Sequence, residues 1–476
     1  MRFRVQPGLS AWLALSLSLA VAGVLNAAAP PLVLPVIMNS ARPSTPPPSG
    51  QPVNFALGPG HADLTAHQVV RAANDRVYVV AGRMGSNIVT LYASTIALPI
   101  SVANFASVTM TTVDGRDVMM VTTAYSTQNT TLIPVFVQTT GGALYLHVFD
   151  TGSNTFRAGL QVATGLPVFR DDDLYLGTVG SSVVADSTGR FHAAYWTGTQ
   201  ATNQPTFNAA IQYCSFTYNA AANTFSGCSP TAVTTSTGVN THPVLAVAPN
   251  DGSVTVAWLQ GFDSSAQIVA RTKPAGGGFG SLQVVSTQMP WTGRSTGNLP
   301  QNRHYNEIDV DQGPGLVIDN SGTRHLVYIA DEESIPGTQA IDYGRIVYAA
   351  QASGASTWSA TALPNFSHDP AVYVAPNGEV LILGHGWDKS GASAVPECRT
   401  GRSMCYMRKP PGGAWSQQLL VANFVGDQSY DGSSSVKWSP SGMQRPELFE
   451  FAFYSIREST GQYQNPTVHY GRIAAP

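Results

Sequence analysis

The stretch Ser182–Trp196, SVVADSTGRFHAAYW, decides the fold. Val183 to Ala185 form a short apolar run, Asp186 to Gly189 carry turn chemistry, and a second apolar run ends on Tyr195 and Trp196. Two brief strands joined by a tight turn are the reading. The same phrase returns as SVTMTTVDGRDVMMVTTAY from Ser107, LAVAPNDGSVTVAW from Leu245, LVIDNSGTRHLVYIA from Leu316, VYVAPNGEVLILGHG from Val372 and SVKWSPSGMQRPELFEFAFY from Ser435. A seventh copy, VVRAANDRVYVVAGR from Val69, has Asn74 and Asp75 at the turn where the others have glycine. The shared glycines are Gly115, Gly189, Gly252, Gly322, Gly378 and Gly442, a period of roughly 65 residues.

Working outward from each copy, a third apolar strand follows, and in five units a short turn leads to an aromatic: Phe156, Phe225, Phe279, Trp358 and Trp415. Four strands per period is the content of a propeller blade, whose apolar faces stack on its neighbours. The five aromatics are expected to fill the seams between or within blades. The expectation is an all-β chain: one β-propeller of seven four-stranded antiparallel blades, or six if the first unit is an irregular extension. The last unit runs out of chain before a fourth strand, which would leave an edge unpaired. The segment around Val53 to Leu57 is expected to supply that strand and join both ends of the chain.

Composition agrees with this reading and limits the partners. The 476 residues include 45 glycines and 32 prolines spread along the length, which leaves few windows for helices. The 25 basic and 28 acidic residues give a net charge of −3, and only 4 of the basic residues are lysines. Nothing here tracks a phosphate backbone, so nucleic acid is not an expected partner. At the N-terminus, Arg2 and Arg4, the apolar run Ala11 to Leu25 and the small residues Ala27 to Ala29 have the order of a secretory signal, 1–29. A Pro/Ser-rich spacer, 30–52, precedes the propeller, 53–476, and no membrane span is expected in the mature chain. The cysteines form two close pairs flanking turns, Cys214 with Cys228 and Cys398 with Cys405, and local disulfides in an oxidising, extracytoplasmic compartment are expected.

ADSTGRFHAAYW and IDNSGTRHLVYI share D-x-x-G-x-x-H-x-x-Y, and SGASTW, Ser353 to Trp358, follows a third strand. Through these degenerate repeats the region 67 to 476 resembles the sialidase-like propellers with BNR or Asp-box repeats. That resemblance implies a carbohydrate-active fold. A sialidase also requires an arginine triad, a Tyr-Glu nucleophilic pair and an Asp acid/base. Where its first arginine motif would fall this chain has AHQVVRAAN, with Arg71 too close to the turn to align, and Tyr454 and Arg457 match no motif.

Linker length indicates where chemistry could occur. Turns after first and third strands are short, whereas the other connections are long, so the long linkers are expected to share one face. That face would gather Tyr175, His304, Tyr305, Asp309, Asp311, Trp387 and Tyr430 as candidate ligand contacts, because aromatic rings and carboxylates together suit sugars. His242 and His368 each lie ten residues before a shared glycine, where an inner strand begins; the same offset gives Phe105, Val179, Gln312 and Gly432 elsewhere. With Glu307, these two histidines are the candidate catalytic groups. Glu307, Asp309 and Asp311 alternate along NRHYNEIDVD and would face one way, where calcium is the matching ion, although no cofactor is expected. The functional expectation is a secreted, monomeric binder of extracellular glycan or protein that does not catalyse. The alternatives are a sialidase-like glycoside hydrolase, signalled by paired carboxylates, or a propeller-type polysaccharide lyase, signalled by a His and Tyr in hydrogen-bond reach beside an arginine.

Overall fold

The computed structural model describes residues 52–60, 68–83, 85–124, 131–166, 181–200, 207–235, 238, 240–261, 266–286, 314–330, 345–363, 370–385, 395–399, 403–423, 428–429, 434–436, 445, 448–459 and 462–474. The boundaries at 29 and 30 lie outside them. Pro47–Pro476 is one compact unit. It consists of seven antiparallel sheets arranged as blades, all but one following chain order from the axis outward. Blade 1 is Val69–Arg71, Val77–Gly82, Ile88–Ser94 and Phe105–Thr111; blade 2 is Val118–Thr123, Leu132–Thr139, Ala143–Asp150 and Leu160–Thr164. Blade 3 is Ser181–Ala185, Phe191–Gln200, Phe207–Phe216 and Thr231–Ala232, and blade 4 is Asn240–Val247, Val254–Gln260, Gln267–Lys273 and Gln283–Val284. Blade 5 is Gly315–Ile318, Arg324–Ala330, Arg345–Gln351 and Ser359–Ala362; blade 6 is Ala371–Val374, Val380–His385, Ser403–Lys409 and Leu419–Asn423. In blade 7, Gln428–Ser429 and Ser434–Val436 pair with Leu448–Ser459, which pairs with Gln462–Ala474.

The fourth strand of blade 7 is Val53–Pro59, antiparallel to Gln462–Ala474 with Val53 opposite Arg472 and Phe55 opposite Tyr470. The expected exchange between chain ends is therefore present, and the blades number seven. Phe55 packs on Tyr470 and Phe105 at ring centroid distances of 5.6 and 5.9 Å, so the closing strand also holds blade 1. On the other side of that seam Arg71 is fully buried, its Nη2 2.5 Å from Glu450 Oε1 and its Nε 2.9 Å from Glu450 Oε2. The Tyr470 hydroxyl donates to the same carboxylate at 2.6 Å. Asp75, bonded to both Arg71 and Arg445, extends the network to the surface. Arg71, at the position where a sialidase arginine would be sought, serves ring closure.

The inner strands Val118–Thr123 and Asn240–Val247 are buried throughout, whereas the outer strand Phe105–Thr111 alternates partly buried and exposed residues. This difference corrects one part of the sequence reading. The Gly115 turn does not join first and second strands of one blade; Phe105–Thr111 pairs with Ile88–Ser94 as the outer strand of blade 1, and Val118–Thr123 opens blade 2. Phe105 accordingly leaves the inner-strand slot that His242 occupies.

Because consecutive strands are antiparallel, connections alternate between the two ends of the ring. The linkers 165–180, 285–314, 331–344 and 386–402 all attach to strand ends at one end, as expected. The division is not complete, however. In blade 1 the third-to-fourth connection 95–104, which includes a 3-10 turn at Val102–Asn104, belongs to the opposite end, as does the Tyr218–Phe225 hairpin of blade 3. The connections 83–87, 112–117 and 140–142 at the long-linker end are short. Both disulfides are formed: Cys214–Cys228, with Cα atoms 5.3 Å apart, ties the blade 3 hairpin to its third strand, and Cys398–Cys405, at 6.2 Å, ties a 3-10 turn at Pro396–Arg399 to blade 6. No helix among the described residues is long and apolar enough to cross a membrane.

Candidate functional site

The site begins with His242, at the start of the inner strand of blade 4. Its φ of +53° lies in the left-handed region that L-residues avoid, at a cost of roughly 1 to 3 kcal/mol. Pro243 follows, so the right-handed helical alternative is also disfavoured at His242. The pairing register jumps from Thr241 opposite Leu259 to Val244 opposite Ala257, so two residues stand against Trp258, a bulge. The imidazole is 1% exposed and its Nδ1 lies 2.9 Å from the Thr241 hydroxyl.

Other buried polar groups lie at the same ends of strands in blades 1 to 4. Asn240 accepts from the Trp258 indole at 3.0 Å and from Gln260 at 3.3 Å, and donates to the Ala209 carbonyl at 3.1 Å. Gln267 donates to Gln260 at 3.3 Å. Across the seam between blades 2 and 3 the Ser181 hydroxyl donates to Gln138 at 3.3 Å, and in blade 1 Gln68 donates to the Val80 carbonyl at 3.1 Å. Gln68, Gln138, Ser181, Asn240, Thr241 and His242 are all buried. The inner end of the ring on the long-linker side thus carries a crown of buried amides and hydroxyls, bonded to one another or to the backbone, with one strained histidine among them.

Of the candidate catalytic and ligand-contact residues, His242 is the one among the described residues. His304, Tyr305, Glu307, Asp309, Asp311, His368, Trp387, Tyr430 and Tyr175 lie outside the described residues, and so does the carboxylate cluster proposed for calcium. Among the described residues no group of three or more His, Cys, Asp or Glu side chains could hold a metal. Tyr454 is buried in blade 7 against the core at Val468 and Tyr470.

A His–Tyr pair in hydrogen-bond reach does occur, but twice and at the opposite end. His192 Nδ1 is 2.7 Å from the Tyr213 hydroxyl and its Nε2 is 3.1 Å from Asp186 Oδ2; His325 stands 2.7 Å from Tyr348 and 3.2 Å from Asp319 in the same way. A carboxylate can only accept, so Nε2 carries the proton and Nδ1 receives the phenol. The other oxygen of each Asp closes its turn, accepting from Thr188 and Arg190 N–H in one case and from Ser321 and Thr323 N–H in the other. Burial would raise these two carboxyls, but the bonds from histidine, hydroxyl and backbone outweigh it and bring both down to about 2. Burial also pushes the Tyr348 phenol up to about 12 and the Tyr213 phenol upward, the wrong direction for a base. The next blade covers each tyrosine with an aromatic, Phe279 at 5.5 Å and Trp415 at 5.1 Å, and with an ammonium, Lys273 at 5.9 Å and Lys409 at 5.4 Å. The two constellations fasten blade 3 to blade 4 and blade 5 to blade 6. A repeated turn-and-seam device accounts for the D-x-x-G-x-x-H motif without chemistry. Two further histidines are core residues: burial lowers His147 and His469 to about 4, and His469 stacks on Phe453.

No protein-family model matches the chain, and no curated protein resembles it in sequence. Solved structures do. The chain is similar to the polysaccharide lyase Uly1, with a TM-score of 0.51 and 11% identity over 90% of this chain and 99% of the other. It is also similar to the BP39L lectin from Burkholderia pseudomallei, with a TM-score of 0.50 and 9% identity over 90% of this chain and 96% of the other. At such identities the likeness is one of fold alone, that of a β-propeller.

Proposed function

We propose that this chain is an exported propeller, related in fold to the sialidase-like group, that binds extracellular carbohydrate at its long-linker end without cleaving it. The observation that carries the reading is the buried crown at that end, where a histidine is held in a left-handed backbone conformation among amides and hydroxyls. Strain of this kind persists where the surrounding structure over-determines it, as it does at ligand clamps. The long linkers attached at the same end contain, in sequence, the aromatic and acidic candidates Tyr175, His304, Tyr305, Asp309, Asp311 and Trp387. Export is supported by the charged, apolar and small-residue order of residues 1–29 and by two formed disulfides. One solved protein of this fold is a lectin and another a polysaccharide lyase, so binding and cleavage are both compatible with the scaffold.

A glycan array probed with the chain from residue 30, run beside assays for reducing-end release and for the unsaturated sugars that a lyase generates, separates the classes. The expected result is saturable binding to a defined glycan group, weakened at least tenfold by His242→Ala, with no product in either assay. Sugar release that disappears on replacing Glu307 or His368 by alanine would overturn the non-catalytic reading, and a protein ligand in place of any glycan would overturn the carbohydrate one.

A further inference from the structure

At the end of the ring opposite the long linkers, blade 1 carries the connection 95–104, and no charged residue occurs between Arg83 and Asp114. Hydrogen bonds pin this loop. The Thr95 N–H donates to the Asn104 carbonyl at 2.8 Å, the Ile100 N–H to Asn104 Oδ1 at 3.1 Å, and Arg71 Nη1 to the Ala97 carbonyl at 2.7 Å. Pro99 is buried, yet Ile96, Leu98 and Val102 are 43%, 39% and 49% exposed. The other large exposed aliphatics among the described residues, Val113, Leu282, Val284 and Leu419, are spread over three other places. Three aliphatic side chains held in water by one pinned, uncharged loop mark an interaction surface.

A cation without a counterion stands beside this loop. Arg472, on the third strand of blade 7, lies opposite Glu450 on one side and Val53 on the other. Tyr470, two residues earlier on the same face, packs on Phe105 at 5.5 Å, and the strand runs from there toward the end where the loop leads into Phe105. Glu450 is committed elsewhere: Oε1 takes Arg71 Nη2 and the Tyr470 hydroxyl, and Oε2 takes Arg71 Nε. Among the described residues the Arg472 guanidinium has no partner, and its Nη1 is buried. Exposed arginines such as Arg76, Arg83 and Arg116 are served by water, whereas a buried donor is nearly always paired within the protein or with a ligand. The seam thus holds three guanidiniums, Arg71, Arg445 and Arg472, against two carboxylates, Asp75 and Glu450.

We propose that this end of the ring docks on an anionic lipid surface, with Ile96, Leu98 and Val102 entering the apolar layer beneath the headgroups and Arg472 receiving a headgroup phosphate. Aliphatic tips beside a guanidinium match a boundary that is apolar within and anionic at its face; a free anion matches only the second feature and an apolar peptide only the first. Docked in this way, the protein turns its long-linker end away from the lipid. The proposal stands apart from the carbohydrate reading and does not depend on it.

The test is co-sedimentation of the mature chain with vesicles of phosphatidylcholine alone and of phosphatidylcholine mixed with phosphatidylglycerol, at low and high salt, beside calorimetry with inorganic phosphate. Binding to the mixed vesicles is expected, weakened by salt and weaker on the neutral ones. Ile96→Ser, Leu98→Ser and Val102→Ser combined should lower it at least about tenfold, and Arg472→Gln about fivefold on mixed vesicles with no change on neutral ones. Arg472→Lys should retain most of the binding. Because Arg472→Gln removes a charge that lacks a counterion, it should melt no lower than the wild type, which separates loss of binding from loss of fold. Leu282→Ser with Val284→Ser, comparably exposed at the outer strand of blade 4, should leave vesicle binding unchanged. Absence of vesicle binding, or binding that neither the loop nor the Arg472 substitutions alter, overturns the proposal. Phosphate binding abolished by Arg472→Gln without vesicle binding overturns the lipid source, as does loop-dependent dimerisation on size-exclusion chromatography in its place.

Discussion

Single residues in this propeller divide into those that hold it closed and those whose strain needs another explanation. Arg71 and Glu450 belong to the first group: with both side chains fully buried, removing one partner leaves a charge without its counterion. Arg71→Met should therefore cost about 3 to 5 kcal/mol in urea denaturation, and restoring neutrality with Glu450→Gln in the same chain should recover much of it. His242 belongs to the second. Glycine accepts its φ of +53° and alanine does not, so His242→Gly should be more stable than His242→Ala by about 1 kcal/mol, while both lose glycan affinity equally. The carboxyls of Asp186 and Asp319 lie at about 2 in the folded state against an ordinary value of 3.8. A lowered folded value means that their stabilisation is complete above about pH 4 and is lost as pH falls toward 2. The stability difference between the wild type and an Asp186→Asn, Asp319→Asn variant, measured from denaturation midpoints, should be largest near pH 6 and shrink toward pH 2.

At the scale of elements, closure depends on Val53–Pro59. A chain beginning after Pro59 keeps six complete blades but exposes the edge of Gln462–Ala474, and should self-associate on size-exclusion chromatography and melt without a single cooperative transition. The Cys214–Cys228 bridge, with a separation of 14, fastens the blade 3 hairpin, and its removal should lower stability by about 3 kcal/mol without affecting the opposite end. Much of this level was legible in the sequence: the turn-plus-apolar-run phrase, the terminal strand exchange and both disulfides follow from local pattern and chain ends. Gly115 was not, because VDGR between two apolar runs has the form of a hairpin wherever it stands. What separates an outer strand from an inner one is burial on one face or both, which appears only as the alternation of Ser107, Thr109 and Thr111 against the unbroken Val118 to Val121. The Asp–His–Tyr fasteners escaped for a related reason. Tyr213 and Tyr348 lie on the third strand, over twenty residues beyond the motif, and only the sheet register brings each beside its histidine.

For the molecule as a whole, the two ends of the ring have different characters. One end is fastened by repeated turn-and-seam constellations whose polar atoms are occupied by one another. The other is where the long linkers attach and where His242 stands among the buried polar ends of inner strands. The alternation of antiparallel strands fixes which connections meet at each end, so linker length alone located the second end in the sequence. It could not reveal the crown, because Gln138, Asn240 and Gln267 are ordinary polar residues until neighbouring strands juxtapose them. The most direct test of this asymmetry is amide hydrogen exchange on the mature chain with and without its best glycan from the array. Protection is predicted at the long-linker end, in the peptide covering 238–245. Protection confined to the fastened end, at 186–190, 319–323 and 410–415, would contradict the account.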